Sequence, residues 1–512
     1  MMAFNKRETN NKKRILMSKN ISKYLHRQMD KEAGIKHTIK RTKIVATVGP
    51  ACSTYEKLLE LVQAGVNCFR LNFSHGSYED KAQIIEYIRE INRTQPFNIA
   101  ILGDLQGPKL RVGDLEGGKI ELKEGQEIIF TTEKIVGTPE KIYVSYANLA
   151  KDVKVGERIF LDDGKMEVKV KEVLNEKEVK ISVTLGGTLL PKKGVNLPDS
   201  ALTMPSLTEK DIADLDFILE KNLDWVALSF VRNTNDVREI KGRINAKNNK
   251  IKLISKIEMP EALKNIRDII LESDGIMVAR GDLGVEVPVE QVPLIQKDII
   301  LKCMHRAKPV IVATQMMESM MERTKPNRSE VTDVANAVLE GADAVMLSGE
   351  TAMGAYPKLV VETMSKIILE VENNVYDYDR DDILTPQPHS PSILSDALCY
   401  SACKIADETD ANALVGMTQS GYTAFMLSSY RPQVPLFIFS KERSLINQLS
   451  LSWGVRAFYY AEEESLDDIF FDQISILKER GFIKSGDVVV STGSTPVALH
   501  LPTNVVKVTK VD

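Results

Sequence analysis

The stretch "LISKIEMPE", from Leu253 to Glu261, is an apolar run that ends on Lys256 and Glu258. Strand side chains alternate between faces, so Lys256 and Glu258 point one way while Ser255 and Ile257 point the other. An ammonium and a carboxylate at the end of a buried strand are costly unless they pair or act. Other short apolar runs end in the same manner. Arg70 leads into "LNFSHG", with Asn72, Ser74 and His75; Asp104 precedes "LQGPKLR", with Lys109 and Arg111. Ser229 and Arg232 follow another run, Arg280 and Asp282 sit in "ARGDLG", Thr314 follows "VIVA", and Ser348 and Glu350 sit in "SGET". Glu258 and Asp282 suit Mg2+, which prefers oxygen ligands and takes others from water and substrate. Arg70, Arg111 and Lys256 suit phosphate, through a guanidinium fork or an ammonium point charge. Phosphoryl transfer asks a protein mainly to position groups and to neutralise charge.

Singly these signals are weak. A charged residue at a strand end is commonly a solvated rim or a structural ion pair. Thr314 alone would serve as a helix cap, "GDLG" alone as a turn, and His75 alone as a hydrogen-bonded loop residue. Their weight comes from a shared position, which depends on the elements that carry them. From Thr42 onward, β-branched runs at residues 43–48, 66–70, 98–102, 224–229, 251–256, 275–279, 309–313 and 343–347 alternate with helical patterns such as "YEKLLELVQAG", "EALKNIRDIILES" and "RSEVTDVANAVLEG". Strand–helix alternation predicts a parallel sheet, and eight strands fit a closed (β/α)8 barrel, whose strand C-termini carry the reactive groups. An open doubly wound sheet is the other arrangement.

The alternation breaks between residues 110 and 204, where strict two-residue periodicity and turns at Asp163-Gly164 and Gly186-Gly187 read as all-β. This predicts a small β-barrel domain inserted after the third barrel strand, at the reactive face, where it could act as a lid. The barrel is expected at 42–109 and 205–378. A polar, proline-bearing linker follows, and then a separate α/β unit over 392–512.

A chain of 512 residues has room for roughly three domains of ~150 residues. Its net charge of −4 argues against a nucleic-acid or membrane partner held by bulk electrostatics. Five scattered cysteines, without zinc-like spacing, read as reduced thiols of a cytoplasmic protein. No apolar stretch approaches the ~20 residues of a membrane span. Residues 1–43 carry thirteen Lys or Arg against three acids, and 1–41 reads as a solvated basic extension, with Met17 as an alternative start.

The motifs "TKIVATVGPA", "RLNFSHG", "KKGVNLP", "SKIE", "MVARGDLGVE", "VIVATQMMESM" and "VMLSGETAMG" occur in that order, and through them the chain resembles pyruvate kinases from about Thr42 onward. The resemblance implies a cytoplasmic, glycolytic, Mg2+-dependent transfer of the phosphoryl group of phosphoenolpyruvate to ADP, giving pyruvate and ATP. It also implies a homotetramer. By motif, Lys256 would neutralise the moving phosphoryl group, Glu258 and Asp282 would hold Mg2+, and Arg70 and Arg111 would hold phosphate. Thr314 would sit beside the enolate carbon, Gly281 would help bind substrate or nucleotide, and Ser348 and Glu350 would belong to the proton route. Pro50, His75 and Lys193 would surround the nucleotide, Lys193 reaching in from the lid.

One departure is informative. Many family members read D-T-K-G-P-E-I-R and bind K+ through Asn, Ser, Asp and Thr groups. This chain reads "DLQGPKLR", so Leu105 replaces a hydroxyl ligand and Lys109 replaces a glutamate. Lys109 is expected to supply the charge that K+ supplies elsewhere, making K+ unnecessary, with Asn72, Ser74 and Asp104 as a vestigial site. In the C-terminal unit, "TQSGYT" offers Thr418, Ser420, Gly421 and Thr423 as a phosphate cradle for a sugar-phosphate effector. Two other classes compete with the kinase. A Mg2+-dependent carbon–carbon lyase on the same barrel would need no phosphoryl acceptor site. A non-catalytic sensor would not need to keep Lys256, Asp282 and Thr314.

Overall fold

The computed structural model describes residues 40–512 apart from 201, 248–249, 375–384, 387–389, 462–464 and 500. The expected basic extension and most of the linker therefore lie outside the described residues. Eight parallel strands close into a barrel: β1 Lys43–Thr47, β2 Cys68–Asn72, β3 Ala100–Asp104, β4 Trp225–Leu228, β5 Lys252–Ile257, β6 Gly275–Ala279, β7 Val310–Ala313 and β8 Ala344–Leu347, with β8 returning to β1. Strands β2 and β3 run about two residues further than their apolar runs suggest, because Asn72 and Asp104 pair across the sheet in register.

Two apolar layers hold the barrel. Ile44, Phe69, Ile101, Val226, Leu253 and their neighbours pack outward against the helices. Val45, Leu102, Trp225, Ile254, Met277 and Ile311 fill the interior, which Leu451 of the C-terminal unit closes from below. Helix ends follow their local chemistry. Helix Tyr55–Ala64 starts at Thr54, whose hydroxyl accepts the Lys57 N–H, and stops at Gly65 with φ 123°. The run "EALKNIRDIILES" is broken into Pro260–Lys264 and Ile266–Glu272. At the break, the Asn265 amide donates to the carbonyls of Arg232 and Glu261.

Between β3 and β4 stands the inserted all-β unit. Its strands share one core built on Ile128, Phe130, Ile142, Ile159, Val168 and Ile181. They hydrogen-bond as a six-stranded sheet plus the pair Ile120–Leu122 and Gly187–Leu189, rather than as one closed ring. The C-terminal unit is a five-stranded sheet ordered Val455–Tyr459, Leu436–Ser440, Ala413–Met417, Val488–Gly493, Val505–Lys510, with the last strand antiparallel. Among the described residues, no helix is long and apolar enough to cross a membrane.

Candidate active site at the strand C-termini

At the C-terminal end of the barrel, Lys256 Nζ lies 2.9 Å from Glu258 Oε1, 3.4 Å from Asp104 Oδ1 and 2.8 Å from Ser229 Oγ. Arg70 approaches Asp104 from the other side: Nε donates over 2.7 Å and NH2 stands 2.6 Å from the same Oδ2. Thr47 Oγ1 accepts from Arg70 NH1 at 3.0 Å, fixing the guanidinium plane. Burial by itself would lower the Lys256 pKa, but Asp104 and Glu258 outweigh burial and hold it above the usual lysine range. Burial would raise Asp104, and Lys256 and Arg70 reverse that, so it stays ionised. Four side chains, from β2, β3, β5 and the residue after β5, thus form one charge-balanced cluster facing the barrel mouth.

Glu258 is almost fully buried, and its Oε2 accepts the Phe230 N–H at 2.8 Å. Burial, opposed by Lys256 and reinforced by the Asp282 carboxylate, pushes its pKa above the ordinary range. Two carboxylates from adjacent strand ends that repel each other suit a divalent cation, which would relieve that repulsion. Among the described residues, no cluster of three or more His, Cys, Asp or Glu could hold a metal unaided. The pair fits Mg2+, which borrows oxygens from water and substrate.

Lys109 Nζ lies 3.7 Å from Asp282 Oδ1 and 3.9 Å from Asp163 Oδ1 of the inserted unit. Its charge therefore stands beside Asp282. The Asn72, Ser74 and Asp104 group has its own uses: Asn72 Oδ1 accepts the Ser74 N–H at 2.9 Å, and Asp104 serves Arg70 and Lys256. Leu105 is buried in the barrel core and presents no ligand atom from its side chain. In the inserted unit, Lys193 Nζ pairs with Asp162 at 2.9 Å, and Arg111 donates to the Lys192 carbonyl at 3.0 Å.

Thr314 has φ +67° and Gln315 +54°, a left-handed conformation that a β-branched residue adopts only under constraint. Arg280 supplies the constraint. Its NH2 donates to the carbonyls of Thr314 (2.7 Å) and Gln315 (3.2 Å), while NH1 pairs with Asp333 at 2.6 Å. Arg280 therefore turns away from the mouth and shapes it. Thr314 Oγ1 accepts the Gly281 N–H at 2.7 Å and donates to the Ala313 carbonyl at 2.6 Å. A Cβ on Gly281 would lie 3.2 Å from that oxygen, so glycine suits the approach. Glu350 is buried, with its carboxylate accepting the N–H groups of Met317 (3.2 Å) and Ser348 (2.7 Å). These bonds make it the brace of the loop that presents Ser348.

Pro50 and His75 lie exposed on loops at the same end; the His75 carbonyl accepts from Lys81 Nζ at 2.5 Å. Arg232, aligned with the others in sequence, instead grips the return of the inserted unit, donating to the carbonyls of Leu202 and Met204. Thr418, Ser420, Gly421 and Thr423 lie apart, at the start of helix Tyr422–Ser429. There Thr418 Oγ1 accepts the Gly421 N–H at 3.0 Å and Thr423 bonds Thr503 at 2.8 Å. Four contributors escaped sequence reasoning: Asp163, Asn196, Glu286 and the Phe230 N–H. Asp163 sits in a turn that read only as punctuation, and Glu286 closes "GDLGVE" without a distinguishing neighbour.

Comparison with known proteins agrees with this architecture. Residues 39–361 match the family model "Pyruvate kinase, barrel domain", and residues 396–509 match "Pyruvate kinase, alpha/beta domain". The chain is 42% identical over 472 residues to the pyruvate kinase of Geobacillus stearothermophilus, covering 92% of this chain and 80% of that one. It is 40% identical to that of Staphylococcus aureus over the same shares. A crystal structure of a pyruvate kinase from Cryptosporidium parvum superposes with a TM-score of 0.87 at 36% identity, covering 92% of this chain and 96% of that one.

Proposed function

The chain belongs to the pyruvate kinase family and is a phosphotransferase, and from that premise we propose that it transfers the phosphoryl group of phosphoenolpyruvate to ADP, giving pyruvate and ATP. The observation that carries this reading is the Lys256 ammonium held between Asp104 and Glu258, with Arg70 alongside, at the barrel mouth. Arg70 and Lys256 bind the phosphate of phosphoenolpyruvate, and Lys256 stays charged as the phosphoryl group moves past it. Glu258 and Asp282 hold Mg2+, which when bound would stabilise the enolate charge. Thr314, fixed by Gly281 and Arg280, lines the enolate side, and Ser348 on its Glu350-braced loop belongs to the path of the arriving proton. Pro50, His75, Arg111 and Lys193 surround the nucleotide and phosphates, the last two reaching in from the inserted unit.

Lys109 places a monovalent cation beside Asp282, which supports turnover without K+. The carboxylates paired with that cation are Asp282 and Asp163, so it offsets charge at the metal carboxylate. Family likeness also supports a cytoplasmic homotetramer. The Thr418–Thr423 loop offers hydroxyls and N–H groups to a sugar phosphate. Neither competing class is favoured: a lyase has no use for Lys256, and a sensor none for the Thr314 strain.

The deciding assay is pyruvate formation from phosphoenolpyruvate, ADP and Mg2+, without and then with K+. Full activity without K+ supports both the reaction and the role of Lys109. Activity only with K+ keeps the reaction and removes that role. No activity in either, with candidate sugar phosphates added, overturns the reading in favour of a sensor or lyase.

A further inference from the structure

The inserted unit touches the barrel at Asn196, whose Nδ2 donates to Glu286 Oε1 over 2.7 Å. Asn196 lies on the strand Val195–Asn196, just after Lys193; Glu286 ends the helix Arg280–Glu286 that carries Asp282. The two remaining oxygens of this pair, Asn196 Oδ1 and Glu286 Oε2, are closed to solvent, and neither has a hydrogen-bond donor. An ionised carboxylate only accepts, so two orphaned acceptors on one bonded pair are a defect. A single proton on Oε2 repairs both, by turning that oxygen into a donor toward Oδ1.

We propose that Glu286 is a positioning residue whose neutral carboxyl group closes a two-bond ring with the Asn196 amide and so fastens the inserted unit over the Asp282 end of the barrel. In the ring, Nδ2–H donates to Oε1 and Oε2–H donates to Oδ1. The surroundings favour the neutral form. Burial first, then the like charges of Glu261, Asp282 and Glu258, raise the Glu286 pKa to about 7, against the Asn196 hydrogen bond that lowers it. The largest cause, burial, does not depend on a metal. Two cations line the small cavity at this junction, Lys109 and Arg232. Their carboxylate partners are Asp163 and Asp282 for the first and Asp236 for the second.

The sign follows from the raised value. The folded chain holds a proton that the unfolded chain releases near the ordinary glutamate value of ~4.3. The fastening is complete below that range and is lost as pH rises through about 7. Because the inserted unit carries Arg111 and Lys193, its loosening weakens nucleotide binding more than chemistry; this consequence rests on the reaction proposed above.

Glu286→Gln tests it, because the glutamine amide makes both bonds of the ring without a proton. The KM for ADP of the unaltered chain is expected to climb several-fold from below to above neutral pH, with kcat changing less. In Glu286→Gln that climb should flatten, and in Asn196→Leu the KM should be high throughout. Infrared difference spectra of the full chain against Glu286→Gln should show a protonated carboxyl C=O band that titrates near neutrality and shifts in Asn196→Leu. Absence of that band, or a Glu286→Gln pH profile parallel to that of the unaltered chain, overturns the proposal. A titrating band in a chain without kinase activity would sustain the ring and overturn the reaction instead.

Discussion

Lys256 at the end of β5 and Glu258 just beyond it hold an ammonium 2.9 Å from a carboxylate, at 11% and 2% side-chain exposure. Asp104 shares the same ammonium from β3. Two buried carboxylates around one lysine keep it protonated over the whole neutral range, which a fixed phosphate-neutralising charge requires.

Lys256→Met removes that charge and keeps the stem. Turnover should fall by about 10²–10³ or more, the scale set by losing one preorganised electrostatic contact. Phosphoenolpyruvate binding, measured by calorimetry with Mg2+, should largely survive through Arg70. Turnover near that of the unaltered chain would remove Lys256 from the chemistry.

Lys109→Glu reverses the charge beside Asp282 and restores the residue type usual where K+ is used. Activity in K+-free buffer should drop about tenfold or more, equivalent to ~1.4 kcal/mol, and added K+ should recover part of it. Recovery is expected to be incomplete, since Leu105 supplies no hydroxyl. A variant as active as the unaltered chain without K+ would show Lys109 to be a spectator.

Much of this site was legible in the sequence because its signals are local. Period-two alternation alone puts Lys256 and Glu258 on one face, and the run of apolar strand segments alone puts Arg70, Asp104, Asp282 and Thr314 at one barrel end. What escaped depends on docking between units. Asn196 and Glu286 are 90 residues apart and meet only once the inserted unit folds back. Arg280 and Arg232 share the strand-end positions of the site residues, yet their guanidinium groups face backbone carbonyls, a choice set by loop shape. The two-residue extension of β2 and β3 was hidden for a related reason: Asn72 and Asp104 are polar, and only their cross-strand register makes them strand residues.

Lys43 gives a pH dependence of stability. It is buried at the opposite end of the barrel, where Nζ donates to the Val455 carbonyl at 2.8 Å. Burial first, then Arg456, lower its pKa to about 8, against Glu372 and Asp343. The unfolded lysine titrates near ~10.4, so the folded chain binds fewer protons between these values, and this group's contribution to stability rises with pH across that window. Melting temperatures of Lys43→Met should therefore climb less between about pH 8 and pH 10 than those of the unaltered chain. Parallel curves would assign the slope to other groups.

The junction between barrel and C-terminal unit should fail at Arg431. Its NH2 lies 2.9 Å from Asp343 Oδ2 and donates to the Gly341 carbonyl at 2.8 Å, with the pair at 4% and 5% side-chain exposure. Asp343 also accepts N–H bonds from Val310 (3.1 Å) and Trp453 (3.0 Å), so its carboxylate charge, paired with Arg431, is enclosed at the junction. Arg431→Ala strands that charge, and such a loss costs about 3–5 kcal/mol. It should appear as a lower denaturant midpoint and as earlier melting of the C-terminal unit. Removing Asp343 as well should not rescue the variant, because the Val310 and Trp453 N–H groups would then lose their acceptor. Rescue by the double change would show that the pair alone mattered. A loss under about 1 kcal/mol for Arg431→Ala, the range of exposed pairs, would shift the weight of the junction to Leu451 in the barrel floor and the Trp225 indole bond to the Gln448 carbonyl.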